Sequence, residues 1–528
     1  MPIRRTVAVL LLLIATSIYA DAPGVYALTG ATIHPVSGPD IANGTIIIRN
    51  GLIEAVGANV TIPPDATTID ARGAHVYPGL IDAQTSAGFA APARGEGRRR
   101  GPQAASETPQ EPTPDSLAMR SVQLTDDELD ARRATGVTTI VTAPSSGIFQ
   151  GQSAVLNLGS GTSESRVIKS PAAMQIAFNT RPTWTYPDSL MGVISYIRQT
   201  LLDAQQHGAA RATYERHPAG FQRPPENAGL EALQPVLRGD LPVVFIADSE
   251  EMMRRAQAIA REFNLRYVLS GARQAYAMAN DLKSVPTLLS VKWPVAPADK
   301  DDRAEQPLRI IRERQLAPSS PAALAKSGAA FALVSGSGKA GDFLPGIRKA
   351  IENGLSADDA LRATTLTPAR IFGVDRQLGT LERGKIANVV VSDRPLFDKT
   401  AKVTHVFVDG REIRLPKDEK KEGPSAASPI DGAWNLAVRA PQGSVAINVT
   451  LHSEDGHLSG TFSGDRGSGD IRGGSFDGTS FDFTISANAQ NEAEATDWAF
   501  RGKLDGNAMS GTVSTTLGNF EFSGSRSK

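Results

Sequence analysis

The chain has 528 residues, 41% apolar and 21% charged, with a net charge of −1. That is enough for two or three domains and a large core, and the near-neutral balance gives no field toward nucleic acid or acidic membranes. With no cysteine, disulfides, zinc–thiolate sites, iron–sulfur clusters and cysteine nucleophiles are excluded.

At the N-terminus Arg4-Arg5 precede an apolar run from Val7 to Ile18, with small residues following around Ala20-Asp21-Ala22. A positive start, a short apolar core and an Ala-x-Ala-like end predict a cleaved secretory signal over 1–22. The run is well short of the roughly 20 residues that span a bilayer, and no later segment is apolar enough. The expected location is therefore periplasmic or secreted, with no membrane span after cleavage.

Residues 23–77 read as short strands between turns. The β-branched run Thr45-Ile46-Ile47-Ile48 meets Asn50-Gly51, a hairpin signal, and continues into Leu52–Val56. From 78 to 378, strand-like runs such as Val137–Val141, Val243–Ile246, Tyr267–Leu269 and Phe331–Val334 alternate with amphipathic stretches. Ser249, followed by Glu250 and Glu251, predicts a helix N-terminus. Such alternation predicts an α/β architecture, a (β/α)8 barrel. Residues 90–116, rich in Pro, Gly, Arg and Glu, read as a flexible insertion within it, its Arg98-Arg99-Arg100 run a solvated loop.

Strands return at Asn388–Val391 and Val403–Val408, so 379–415 is expected to complete a composite β domain with 23–77. Residues 416–429 are a charged, Pro/Ser-rich linker. Beyond it, 430–528 reads as consecutive strands parted by Asp-Gly turns. The phrase Leu458-Ser459-Gly460-Thr461 recurs as Met509-Ser510-Gly511-Thr512 and Phe522-Ser523-Gly524-Ser525. Similar hairpins in series predict a small closed antiparallel β-barrel.

Four phrases carry a family resemblance. They are Pro78-Gly79-Leu80-Ile81-Asp82-Ala83-Gln84-Thr85-Ser86; Gly136 to Val141; Gly354 to Arg370, with Ala363-Thr364-Thr365-Leu366-Thr367-Pro368-Ala369; and Leu378 to Val391, with Gly384-Lys385-Ile386-Ala387-Asn388. From about 26 to 415 the chain resembles the amidohydrolase superfamily, on the branch similar to imidazolonepropionases. The resemblance implies a metal-dependent hydrolase of carbon–nitrogen bonds other than peptide bonds, with zinc or another divalent ion as the family norm. It also implies a first-strand histidine pair, further histidines at the fifth and sixth strand ends, and an aspartate after the eighth. At those positions this chain has Gln84 and Ser86, Ile246, Ser270-Gly271, and Gly336. Of seven histidines only His207 and His217 fall between 78 and 378, too few for a histidine-rich site.

Other chemistry would rest on carboxylates. Asp82, Asp248 and Asp342 are candidates at strand ends, although Asp82 reads better as a strand-end hydrogen-bonder and Asp342 better as a helix N-cap. Gly147–Gly151, with Gln150 and Gln152, and Ser335–Gly341, with Lys339, read as mouth loops. Two functions stay open. One is a metal-free, catalytically impaired protein that binds a small molecule, a peptide-like ligand or a partner, with no cofactor. The other is an active carbon–nitrogen hydrolase using an atypical site.

Overall fold

The computed structural model describes residues 24–89, 113–180, 186–297, 306–336, 338–415, 428–440, 443–454, 457–464, 467–488, 495–515 and 518–527. The expected signal (1–22), nearly all of the 90–116 insertion and most of the 416–429 linker lie outside them. Two compact units divide between Pro416 and Lys417.

In the first unit, β1 (Tyr26–Ile33), β2 (Ile41–Arg49), β3 (Leu52–Gly57), β4 (Thr67–Asp70) and β5 (His75–Pro78) precede the barrel. Asn50 and Gly51 both take positive φ, 52° and 81°, and turn β2 back along β3. The barrel strands follow: β6 (Leu80–Thr85), β7 (Val137–Thr142), β8 (Phe149–Gln152), β9 (Ala154–Asn157), β10 (Val167–Lys169), β11 (Met174–Ala177), β12 (Val243–Ala247), β13 (Tyr267–Gly271), β14 (Thr287–Ser290) and β15 (Phe331–Val334). The chain then returns as β16 (Val389–Ser392), β17 (Val403–Val408) and β18 (Arg411–Ile413). Those three join the first five in one sheet of order β18-β17-β16-β5-β1-β2-β3, with β4 on β1. Residues from both sides of the barrel thus complete one core, among them Leu28, Ile46, Val76, Val389 and Phe407.

The barrel strands make a ring of eight staves. β11, β12, β13, β14 and β15 are parallel in sequence, and β6 and β7 are parallel to each other. A parallel bridge from Thr85 to Gly336 closes β15 onto β6. Between β7 and β11 lies a departure from a regular (β/α)8 barrel: residues 149–157 run antiparallel, with β8 on β11 and β9 on β7. The expected loop at Gly147–Gly151 is thus corrected from Phe149 onward, because Phe149–Gln152 finds a partner in β11 and its continuation Ala154–Asn157 finds one in β7, while its glycine masked the strand pattern. The interior is filled by Ile81, Val141, Val155, Val244, Val268 and Leu288, with Phe372 and Leu378 in the same cluster. At the opposite side of this unit from the strand ends, Asn157 links the barrel to the composite sheet, donating to Asp409 Oδ1 (2.6 Å) and accepting from Thr139 and Asn388.

The second unit comprises β19 (Gly432–Ala440), β20 (Gly443–Glu454), β21 (His457–Gly464), β22 (Gly467–Asp470), β23 (Arg472–Phe476), β24 (Ser480–Asn488), β25 (Ala495–Asp505), β26 (Ala508–Thr515) and β27 (Gly518–Arg526). Eight of these close into an antiparallel barrel through the β19–β27 and β20–β21 pairings, with β22 alongside β21. Closure leaves no unpaired edge in the ring. Its core is aromatic: Trp434, Phe462, Phe481, Phe483, Phe500 and Phe522. Sequence reading overlooked β19, β22 and β23; the last two lie in a Gly/Ser-rich stretch with little apolar alternation.

Candidate functional site

The first strand of the barrel decides which side chains reach its mouth. Ile81 and Ala83 face the interior. Between Asp82 and Thr85 the pairing with β7 slips by one residue, and such an irregularity re-aims the side chains beyond it. Gln84 and Ser86 therefore line the cavity above the interior.

Asp82 points the other way and is committed to structure. Its carboxylate is fully buried, 3.1 Å from Arg132 Nη1, and accepts from the Ser335 backbone N–H (2.9 Å) and hydroxyl. Arg132 also donates to Thr85 Oγ1 (3.1 Å). The guanidinium is delivered by the helix Asp126–Arg133, which opens on a Thr125/Glu128 capping box. Burial pushes the Asp82 carboxyl above the usual carboxylate range, against the pull of Arg132 and Ser335.

The cavity, of about 230 Å³, sits at the C-terminal ends of the staves, where barrels of this type carry their sites. Ile246, at the fifth strand end, presents an apolar side chain to it, and Ser270 and Gly271 come from the sixth. Gly336, past the eighth, has φ +59° and donates its N–H to Gln84 O (3.0 Å). A Cβ there would meet Ser290 Oγ at 3.1 Å, so Ser290 occupies the space beside this backbone.

Asp248 is the carboxylate that reaches the cavity. It accepts from Arg273 Nη2 at 3.2 Å, and Glu313 stands 3.6 Å from Arg273 Nε on the other side. The Asp248 carboxyl is half exposed at the mouth; partial desolvation by its surroundings raises it, opposed by Arg273 and reinforced by Glu313. Asp342 is elsewhere: it is exposed, does not line the cavity, and occupies the N-cap position of the helix Phe343–Glu352 without a side-chain capping bond. The preceding 3-10 turn puts its backbone in the αR region, away from the extended geometry a capping side chain uses. Lys339 is exposed and also outside the lining.

Sequence reasoning missed Asn179, Arg273 and Lys292, all of which line the cavity. Each stands two residues past a strand end, at Ala177, Gly271 and Ser290. That offset was a usable signal once the strands were placed.

His207 lies on the helix Leu190–Arg216 and His217 is its C-cap residue. His207 Nε2 is 3.7 Å from Glu231, in a separate pocket with Arg211 and Tyr214. Neither histidine lines the mouth.

The fold and this mouth define an α/β barrel of the TIM type with a small flanking sheet. Residues 312–413 match the model of the amidohydrolase family, a stretch that includes Gly336 but not Gln84, Ser86 or Ile246. Among solved structures, an amidohydrolase from Thermotoga maritima MSB8 is 24% identical, with a TM-score of 0.63 over 74% of this chain and 100% of that one. A molinate hydrolase is 17% identical over 76% and 97% of the two chains, TM-score 0.47. An adenosine deaminase from Xanthomonas campestris with bound zinc is 16% identical over 74% and 93%, TM-score 0.39. The chain's resemblance to the amidohydrolase superfamily, read from its four phrases, is thus shown, and the first of these structures carries the fold.

The family's metal does not fit the residues present. The cavity offers amides, hydroxyls and one carboxylate, with Arg273 and Lys292 beside them. Among the described residues no group of three or more His, Cys, Asp or Glu is placed to hold a metal ion. Borderline ions such as zinc want imidazole or thiolate, and a hard cation would meet two positive side chains and only one carboxylate.

Proposed function

We propose that this protein is an exported amidohydrolase-like barrel whose mouth binds a small ligand without a metal and without the family's hydrolysis. The observation that carries the reading is the joint replacement of the ligand positions: Gln84, Ser86, Ile246 and Gly336 line one cavity, and none supplies imidazole or carboxylate. A family-type site lowers the pKa of bound water toward ~7 through its metal, and this donor set has no counterpart for that step. Export rests on the sequence of residues 1–22.

The test is elemental analysis of the mature protein, expressed with zinc, manganese and iron supplied and then dialysed. The expected result is well below stoichiometric metal. One or two tightly held equivalents would overturn the reading and restore metal-dependent hydrolysis.

A further inference from the structure

A titratable cluster lies in the composite sheet, apart from the mouth. His34 follows the last residue of β1, and His75 opens β5, the strand beside it. His34 Nδ1 is 2.9 Å from Asp40 Oδ2, and His34 Nε2 is 3.0 Å from His75 Nδ1. The ring of Tyr77 lies flat on His34, with 4.4 Å between centroids and 3° between planes. One carboxylate and two imidazoles thus form a line that ties the loop after β1 to β5.

The loop needs such a tie. Val36 takes φ +69° and is 7% exposed. A β-branched residue in the left-handed region is strained and persists only where its surroundings enforce it. Its side chain belongs to the same core cluster as Leu361. The loop and the helix Ala357–Thr364 line one cavity, with His34, Gly38 and Asp40 facing Asp358 and Arg362. Pro35 is fixed separately, its carbonyl accepting from Leu381 N–H at 3.1 Å, so the line holds Val36–Asp40.

The number of protons decides whether the line can exist. A carboxylate only accepts, so Asp40 fixes a proton on His34 Nδ1. The 3.0 Å contact between the rings then needs one proton, from either side. With both rings neutral, His75 Nδ1–H donates to His34 Nε2. With one positive charge, on His34, the direction reverses and the bond survives. With a charge on each ring, two N–H groups face each other and no bond is possible.

The surroundings set where this happens. Thr32 and Ser392, paired with His75 from β1 and β16, carry no charge. Asp358 and Arg362 oppose each other in sign. Tyr77 is pushed up to about 12, chiefly by burial, and stays neutral. Glu382, which bonds to Ser37 in the loop, is held below the usual carboxylate range by Thr380 and Lys385 and keeps its charge. Partial burial lowers His75 first and the charge on His34 second, against the pull of Asp40. A lowered histidine binds fewer protons in the closed loop than in an open one. Closure is therefore fully supported above the ordinary value of about 6.5 and weakens as pH falls below it.

We propose that Asp40, His34 and His75 form an acid-operated latch. With at most one charge on the histidine pair it holds Val36–Asp40 against β5 and the helix Ala357–Thr364, and the second charge releases the loop.

The chain has no cysteine, so Gly38→Cys gives a unique site for a nitroxide label. A Cβ there meets no atom within 4 Å. Electron paramagnetic resonance of the labelled mature protein, titrated from about pH 8 to about 5, reads the loop directly. An immobile label should give way to a mobile one below about pH 6.5, with far-ultraviolet circular dichroism unchanged. Adding His75→Gln removes the second charge and should keep the label immobile to the acid limit. His34→Gln carries the same expectation, since its amide oxygen can accept from a charged His75, and replaces the first variant if that one melts early. A label whose mobility ignores pH overturns the latch. So does a step that survives in the histidine variant, or one that coincides with loss of circular dichroism.

Discussion

Asp82 and Arg132 show how a residue from a catalytic-looking strand serves the barrel instead. The carboxylate ties β6 to Ser335 beyond β15, and the guanidinium ties the same strand to the helix behind it. Removing one partner of a buried pair leaves the other uncompensated, so Arg132→Ala should cost about 3–5 kcal/mol of stability. The pH dependence has a definite sign. A carboxyl whose native pKa is raised holds its proton better folded than unfolded. Its contribution is complete below the unfolded value of about 3.9 and is lost as pH rises through the native value. Arg132 supplies the largest opposing pull, so without it the native value climbs further and the loss of stability with rising pH becomes larger. Urea melts in mildly acidic and neutral buffer check both points. A loss under about 1 kcal/mol, the level of an exposed pair, would contradict the role assigned to the pair.

At the scale of elements, two features depend on what a strand meets. The Ser-Gly-Thr phrase of the C-terminal unit recurs because its glycine lies where neighbouring backbones come close. A Cβ on Gly460 would fall 1.8 Å from Thr450 O, and one on Gly511 would fall 2.0 Å from Arg501 O. Gly511→Ala must push β26 from β25 and should cost about 1–3 kcal/mol or more, as overpacking does; thermal unfolding of the variant measures it. An unchanged melting temperature would mean the strands separate freely there. The other feature is the antiparallel stave at 149–157. It was not legible because Gly147 and Gly151 read as turn residues and each half of the stave pairs with a different neighbour. Gln150 reaches the mouth only because that segment is a strand. By contrast, the helix at Glu250–Glu262 was readable from Ser249, whose hydroxyl accepts from Met252 N–H as a local capping rule predicts.

At the scale of the whole molecule, each unit has its own core. The second unit's aromatic cluster includes Trp434, fully buried with its Nε1 donating to Ile430 O at 2.8 Å. Residues 428–528 alone should therefore fold cooperatively, with blue-shifted tryptophan emission that shifts red in a single denaturant transition. Red, solvent-like emission from the isolated segment would show that its core needs the rest of the chain.

By itself the sequence determined the strand–helix alternation, the split sheet around the barrel, the closed C-terminal barrel and the amidohydrolase resemblance. These rest on local patterns: periodic burial, turn dipeptides and contiguous phrases. It also identified Gln84, Ser86, Ile246 and Gly336 as the positions where metal ligands were expected. Only the tertiary structure decided what replaces them. The slip in β6 turns Gln84 and Ser86 inward while Asp82 is held outside by Arg132. Asn179, Arg273 and Lys292, far apart along the chain, meet at one mouth because their strands are neighbours or near neighbours in a closed ring. The physical reason is that a site at the end of a barrel is made by the order and register of its staves, and both are properties of long-range pairing.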